Sequence, residues 1–401
     1  MLRSLFSGIT GLRQHQTLMD VVSNNIANVN TTGFKSSSVV FEDTLSQTMK
    51  NAASPTTVAG GMNPAQVGLG VQLGAISTNF GQGSAQNTGK STDLMIQGDG
   101  FFMVRNGGET QYTRSGAFTF DTNGSLVNPE GLVVQGWLGA NGVVNTDNVP
   151  VDIVIPANKQ LPPTPSTKVA MQGNITAGTT TPMTLGATVY DAMGNAHTLS
   201  IAFASNTPPA FDITVTDATD PANPVTGTGN VGFTTTGAYD PAASTAPTLT
   251  LADGTAITFD TTGLTQYGGP KTMGVTSIDG ASSGTLQQFQ IGADGAVLGI
   301  FNNGQKLTIA KLALANFNNP PGLEKIGNSA YRSTFNSGLS QVGTPGSGGR
   351  GQLLGGSLEM SNVDLAQEFT NLIIAQRGFQ ANSRVITTSD QMLQDLVDIK
   401  R

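Results

Sequence analysis

Apolar side chains recur at alternating steps of four and three along the last stretch of the chain. Starting from Leu365 the pattern takes in Phe369, Leu372, Gln376, Phe379, Ser383, Ile386, Asp390, Leu393 and Val397, seven of the ten apolar. A seam of this kind, sustained over more than four heptads, predicts a long helix with a narrow apolar stripe that needs a helical partner. Ser361 followed three residues later by Asp364 reads as the start of a capping box, and Lys400 and Arg401 stand where a helix C-terminus favours cations. Such a helix would run on the order of 50 Å at about 1.5 Å per residue. The polar breaks Gln376, Ser383 and Asp390 share one heptad position, which suits residues that fix register.

The same spacing opens the chain. Leu2, Leu5, Ile9, Leu12, Gln16, Met19, Ser23 and Ile26 follow it, six of the eight apolar. Two narrow seams at opposite ends point to one coiled-coil unit closed by residues 1–30 and 362–401; the other reading is two amphipathic helices lying on a globular core. Gly8 and Gly11 each cost about 1 kcal/mol against alanine in a helix, so the first helix is expected to be weakly ordered without a partner.

Between the seams the period changes to that of strands. Residues 94–104, LMIQGDGFFMV, open a β-region, and Asn123-Gly124 between two apolar runs is a hairpin turn. A second block, 285–316, carries Asp294-Gly295 and Asn303-Gly304 turns. The two blocks predict one β-domain, 91–145 with 285–361, interrupted by an inserted β-sandwich or barrel at 146–284. Residues 50–90, rich in Gly, Ala, Thr, Asn and Gln, read as having little periodicity, and 31–90 as an extended connector. The fold class is therefore mainly β with terminal α-helices: a nested, rod-shaped, multidomain subunit with a coiled-coil-like inner domain and two β-rich domains.

Composition adds to this. Only 11% of the 401 residues are charged, 51 are glycine and 19 proline, which favours short strands and turns over a helical body. There is no cysteine, so disulfides, thiolate metal sites and cysteine nucleophiles are excluded. The insertion holds ten aspartates, three lysines, and no glutamate or arginine; the whole formal net charge of −7 sits there and the rest of the chain is balanced. An acidic chain without basic clusters is a poor nucleic-acid ligand. No apolar run spans a bilayer, and the first twenty residues lack the h-region of a cleaved signal peptide.

Three motif-like matches carry no chemistry. Gly280-Ala-Ser282-Ser-Gly284 imitates a nucleophile elbow, but both histidines, His15 and His197, precede it and a strand follows. The stretch ending in Gly89-Lys90 lacks the first glycine of a phosphate loop, since Ser84 stands there. Asp121, Asn123 and Ser125 alternate as in a calcium loop, but Leu126 and Leu132 occupy its glycine and glutamate positions. No catalytic residue, cofactor, metal or small-molecule substrate is expected.

The segments SNNIANVNTTGFK, with Asn24, Asn25, Asn28, Gly33 and Phe34; LMIQGDGFFMV, with Gly98, Gly100, Phe101 and Phe102; YTRSGAFTFDTNGSLVNPEG; and the C-terminal seam resemble the bacterial flagellar axial family of rod and hook proteins. The resemblance covers residues 1–45, 91–137 and 325–401, and the length and acidic insertion are similar to the hook branch, with the distal rod subunit as the alternative. It implies a structural subunit that polymerises with itself into a flexible tube transmitting torque, with the terminal helices innermost and the insertion outermost. Implied partners are further copies of the chain, rod, hook-cap and hook–filament junction proteins and the flagellar type III export apparatus, at a location outside the cell. The assembly interface is expected at Leu5, Ile9, Leu12, Met19, Ile26, Leu365, Phe369, Leu372, Phe379, Ile386, Leu393 and Val397. A β-rich extracellular binding module is the alternative of another class.

Overall fold

The structure is a computed structural model describing residues 2–52, 54, 55, 60–140, 142–156, 159–206, 209–219 and 225–398. Helices α1 (Leu2–Ala27) and α2 (Leu365–Asp398) lie at the two ends, and nearly all the regular structure between them is β. The chain divides into two compact units. The first comprises Met1–Ile155, Gln290–Leu298 and Thr308–Arg401, and the second Pro156–Phe289 and Gly299–Leu307. The first boundary lies ten residues beyond the expected one because Val151–Asp152 pairs antiparallel with Gln135–Gly136, and Ile153 donates to the Val134 carbonyl, so these residues finish the first sheet.

The first unit is built on an antiparallel sheet in the order Lys306–Leu312, Val133–Ala140, Phe101–Asn106, Glu109–Thr113, Ala330–Arg332 and Glu324–Gly327. Phe101, Phe102, Met103 and Val104 are all buried, so this strand is covered on both faces, and its continuous apolar run follows from that. On one face Phe101 packs edge-on to Phe80, Phe317 and Tyr331 at 5.4–5.9 Å. On the other, Phe102 meets Phe118 at 5.1 Å, near-perpendicular, the arrangement a ring quadrupole favours.

Residues 31–90, expected to be an extended connector, hold instead a long two-stranded ribbon. Ser37–Asp43 pairs antiparallel with Val71–Thr78, and Ser46–Lys50 with Ala65–Gly68, with register shifts at Val40/Phe41 and Thr48/Lys50. The ribbon runs beside α1: the Val71 amide reaches the Thr10 hydroxyl at 3.4 Å, and Phe41 lies edge-on to His15 at 6.0 Å. Neither of its faces is fully covered, yet its second arm keeps strand period: Ala65, Val67, Leu69, Val71, Leu73 and Ala75 are apolar at every second position.

The second unit is a β-sandwich. A five-stranded antiparallel meander, Met183–Tyr190, Ala196–Ser205, Ala210–Asp217, Thr226–Phe233 and Tyr239–Thr245, faces a four-stranded sheet in the order Thr248–Thr250, Ala256–Thr265, Lys168–Asn174, Gly274–Ile278. Lys168–Asn174 and Ala256–Thr265 run parallel. Leu199, Ile201 and Phe203 alternate inward with Phe211, Ile213 and Val215 against Val169, Met171, Ile257 and Phe259, giving the unit a closed core of its own.

Candidate assembly surface

Helices α1 and α2 touch along small and polar residues. A Cβ on Gly8 would meet Ile386 at 3.4 Å and Val385 at 3.6 Å; one on Gly11 would strike the Asn382 side chain at 2.8 Å, and one on Gly378 would strike the His15 ring. Without those Cβ atoms the two backbones approach closely, since interaxial distance follows the side chains at the contact. Ala375 and Ser389 of α2 and Val22 and Asn25 of α1 are buried, extending the line. On α1 the contact line of Gly8, Gly11 and His15, continued by the buried Val22 and Asn25, lies one residue ahead of the expected seam positions Ile9, Leu12, Gln16, Ser23 and Ile26. The two glycines expected to weaken α1 are the residues that admit α2.

The large apolar side chains are displaced to the flanks of this line. Leu5, Leu12, Met19, Ile26, Leu372, Phe379, Ile386 and Leu393 are half-buried, and Ile9 and Leu365 are exposed. Phe369 is 52% exposed and Val397 64%, and residues outside the expected seam join them: Phe6 at 65% and Ile373 at 57%. Of the polar breaks, Gln376 and Asp390 are exposed and Ser383 is half-buried. The Leu2 side chain, Met1 and residues 399–401 lie outside the described residues. Asp364, not Ser361, caps α2: its Oδ1 accepts from the Ala366 and Gln367 amides at 2.9 and 3.2 Å, two of the donors a helix start leaves free.

Where α1 ends, the asparagine-rich segment becomes a set of clasps. Asn28 donates back to the Asn24 carbonyl at 2.9 Å. Asn25, 1% exposed, behaves as a strand residue toward Ser37, accepting from its amide at 3.0 Å and donating to its carbonyl at 2.8 Å, while also donating to Glu368 of α2 at 3.1 Å. Gly33 holds φ +69°, and a Cβ there would enter the Ser115 backbone, so glycine alone fits. Its amide donates to the Glu359 carbonyl at 2.8 Å. Phe34 is buried, with the Lys325 ammonium over its ring at 4.2 Å. Gly98 and Gly100 hold φ +108° and +129° in the turn before Phe101 and Phe102.

These segments converge on a buried carboxylate. Glu359 Oε1 accepts from Lys35 Nζ at 2.6 Å and from the Gly83 amide at 2.9 Å, and Oε2 lies 3.5 Å from Arg114 Nη1. Arg114 also donates to the Gly98 carbonyl at 2.9 Å and lies over the Phe101 ring, and Lys35 donates to Gly81 O at 2.8 Å. Burial pushes both cations below their usual pKa, against the pull of Glu359. One acid from the C-terminal side thus binds a lysine from the first motif and an arginine from the β-domain motif. Sequence reading missed this cluster; the available signal was Lys35 and Arg114 inside two of the motifs, with Glu359 just ahead of the C-terminal one, in a chain otherwise poor in charge.

The imitated motifs are occupied by turns. Asp121 Oδ1 accepts from the Asn123 and Ser125 amides at 2.9 and 2.7 Å, and the Gly89 amide donates to Asn87 Oδ1 at 3.1 Å. Among the described residues no three His, Asp or Glu side chains are grouped to hold a metal.

A finished β-core bearing a helix pair and a ribbon with uncovered apolar side chains defines a subunit of a larger structural assembly. Four family models match in chain order: a flagella basal body rod protein model at residues 5–35, the flagellar hook protein FlgE/F/G D1 domain at 95–177, the flagellar basal body protein FlaE D2 domain at 157–281, and the flagellar basal body rod FlgEFG protein C-terminal model at 354–399. The chain is 37% identical over 447 residues to the flagellar hook protein FlgE of Borreliella burgdorferi, covering 100% of both chains. It is 33% identical to that of Salmonella typhimurium, over 99% of this chain and 100% of the other. The basal-body rod protein FlgG of Bacillus subtilis is 34% identical over 100% of both. The chain belongs to the flagellar hook protein family. The crystal structure of Helicobacter pylori flagellar hook protein FlgE2 shares the fold at TM-score 0.52 and 15% identity, over 67% of this chain and 98% of that one.

Proposed function

We propose that this chain polymerises with copies of itself into the tubular flagellar hook, a flexible joint that transmits torque from rod to filament. The observation that carries the reading is the uncovered apolar face of α1 and α2, where Phe6, Ile9, Leu365, Phe369, Ile373 and Val397 remain exposed beside a closed β-core. Burying such a face against neighbouring copies supplies the association energy, and a heterologous contact repeated without closure generates a helical polymer. The ribbon adds a second surface, with Leu45, Met49, Val67 and Leu69 exposed; an isolated two-stranded ribbon is marginal in water and gains from a neighbour. On this reading Leu5, Leu12, Met19, Ile26, Leu372, Phe379, Ile386 and Leu393 become fully covered on assembly.

The role is mechanical rather than enzymatic. The partners that follow are the rod below, the cap at the growing end, the junction proteins above, and the type III export apparatus that delivers the chain outside the cell. A single experiment tests the proposal: electron microscopy of the purified chain under polymerising conditions should show curved tubes. Full-length similarity to a rod protein favours a distal rod subunit as the second reading, and straight, rigid tubes would support it instead.

A further inference from the structure

We propose that Asn106 is a site of spontaneous deamidation, set apart from the other described Asn-Gly pairs, Asn123-Gly124 and Asn303-Gly304, by the backbone hydrogen bonding of its turn. Four such pairs occur, at 106–107, 123–124, 141–142 and 303–304, and Asn141 lies outside the described residues. In this reaction the glycine amide nitrogen attacks the asparagine Cγ and gives its proton to solvent base. The Cγ–Nδ2 bond breaks and ammonia leaves with a proton from water. Water then adds to either carbonyl of the succinimide, opening the ring to aspartate or isoaspartate. The net change is the exchange of ammonia for water, and no oxidant or reductant is needed.

The nucleophile is a backbone N–H, so a hydrogen bond on that N–H protects the pair. The Gly124 amide donates to the Asp121 carbonyl at 3.1 Å, and the Gly304 amide to the Phe301 carbonyl at 3.0 Å. Asn303 is also held at both ends of its carboxamide, donating to Ser282 O at 2.7 Å and accepting from the Gln305 amide at 3.1 Å. Asn106 differs on each count. It closes the two-residue hairpin between Phe101–Asn106 and Glu109–Thr113, opposite Glu109, and the turn residues are Gly107 and Gly108. Gly107 takes φ +61°, the first-position conformation of a type II′ turn, which leaves its amide pointing away from the ladder and without a carbonyl partner among the described residues. The Asn106 side chain is exposed and makes no hydrogen bond among the described residues. Two consecutive glycines at an exposed hairpin tip also make the local rotation that brings Gly107 N onto Cγ inexpensive.

The product adds a negative charge between Arg105 and Glu109 at the sheet's rim and, as isoaspartate, one extra backbone atom at the turn. Both lie outside the buried core, so the fold should survive the change.

The test is peptide mapping by mass spectrometry of the full-length chain aged in mildly alkaline buffer, scoring the amide-to-acid mass change at each Asn-Gly pair. Asn106 should convert faster than Asn123 by about fivefold, the factor of one net backbone hydrogen bond, and faster still than Asn303. In denaturant, where turn geometry is lost, the three rates should converge. Equal rates in the folded chain would overturn the proposal, and so would a lead for Asn106 that persists undiminished in denaturant. Asn106→Gln, whose longer side chain disfavours ring closure, should remove conversion in that peptide and leave the others unchanged; conversion persisting there would place the reaction elsewhere.

Discussion

Glu359 is the residue on which the first unit depends. It is 1% exposed, and two cations, Lys35 and Arg114, are buried with it. Removing one partner of a buried ion cluster leaves uncompensated charge in a poor solvent, so Glu359→Gln should lower the unit's stability by about 3–5 kcal/mol. The exposed pair of Arg332 with Glu324 at 2.8 Å is a control: Arg332→Ala should cost under about 1 kcal/mol, because solvent screens both charges. Urea denaturation read by the fluorescence of Trp137, buried in this unit, measures both. Sequence reading picked out Asn25, Gly33, Phe34, Gly98 and Phe101 as motif residues. It did not find what they surround, because Lys35, Arg114 and Glu359 lie far apart along the chain and only the fold brings them together.

At the scale of elements, the helix pair rests on absent side chains. A Cβ at Gly378 would enter the His15 ring, so Gly378→Val should force α1 and α2 apart. Circular dichroism should show reduced helix, and electron microscopy should show no tubes, while the β-sheets remain. The ribbon makes the opposite prediction. Leu45, Met49, Val67 and Leu69 are exposed, so changing them together to serine should shift the stability of the single chain by no more than about 0.5 kcal/mol per site and yet weaken polymerisation. Light scattering against time separates the two effects. Both helices were legible from period alone, since 3.5-residue spacing survives whichever face is covered. Their contact line was not, because a search for apolar positions passes over Gly8, Gly11 and Gly378. The ribbon was passed over although Ala65 to Ala75 alternate, because Gly68, Gly70 and Gly74, residues that weaken strands, stand between the apolar positions.

At the scale of the whole chain, the second unit owns its core. Residues 169–273 supply that core, and Thr164 pairs with Ala281 where the chain enters and leaves, so a fragment spanning 164–281 should fold alone with one cooperative thermal transition. It should also be acid-sensitive. The hydrogen bond from Lys168, with those from Thr262, holds the Asp260 carboxyl at about 2 against an ordinary 3.8. Asp253 is lowered as well, first by the Thr255 hydroxyl. A carboxylate whose folded value lies below its unfolded one stabilises the fold fully above the unfolded value, and that stabilisation fades as pH falls through the folded one. The melting temperature of the fragment should therefore drop between about pH 4 and about pH 2, and Asp260→Asn should remove part of that dependence. The β character of this unit was legible from alternating strands such as Leu199, Ile201 and Phe203.

The central claim is that the uncovered faces of α1, α2 and the ribbon build a tube while the β-units do not need them to fold. Electron microscopy comparing the full chain with a variant lacking 1–27 and 365–398 tests it most directly. The account predicts curved tubes from the full chain and only folded, dispersed β-cores from the trimmed one. Tubes of normal curvature from the trimmed chain would contradict it.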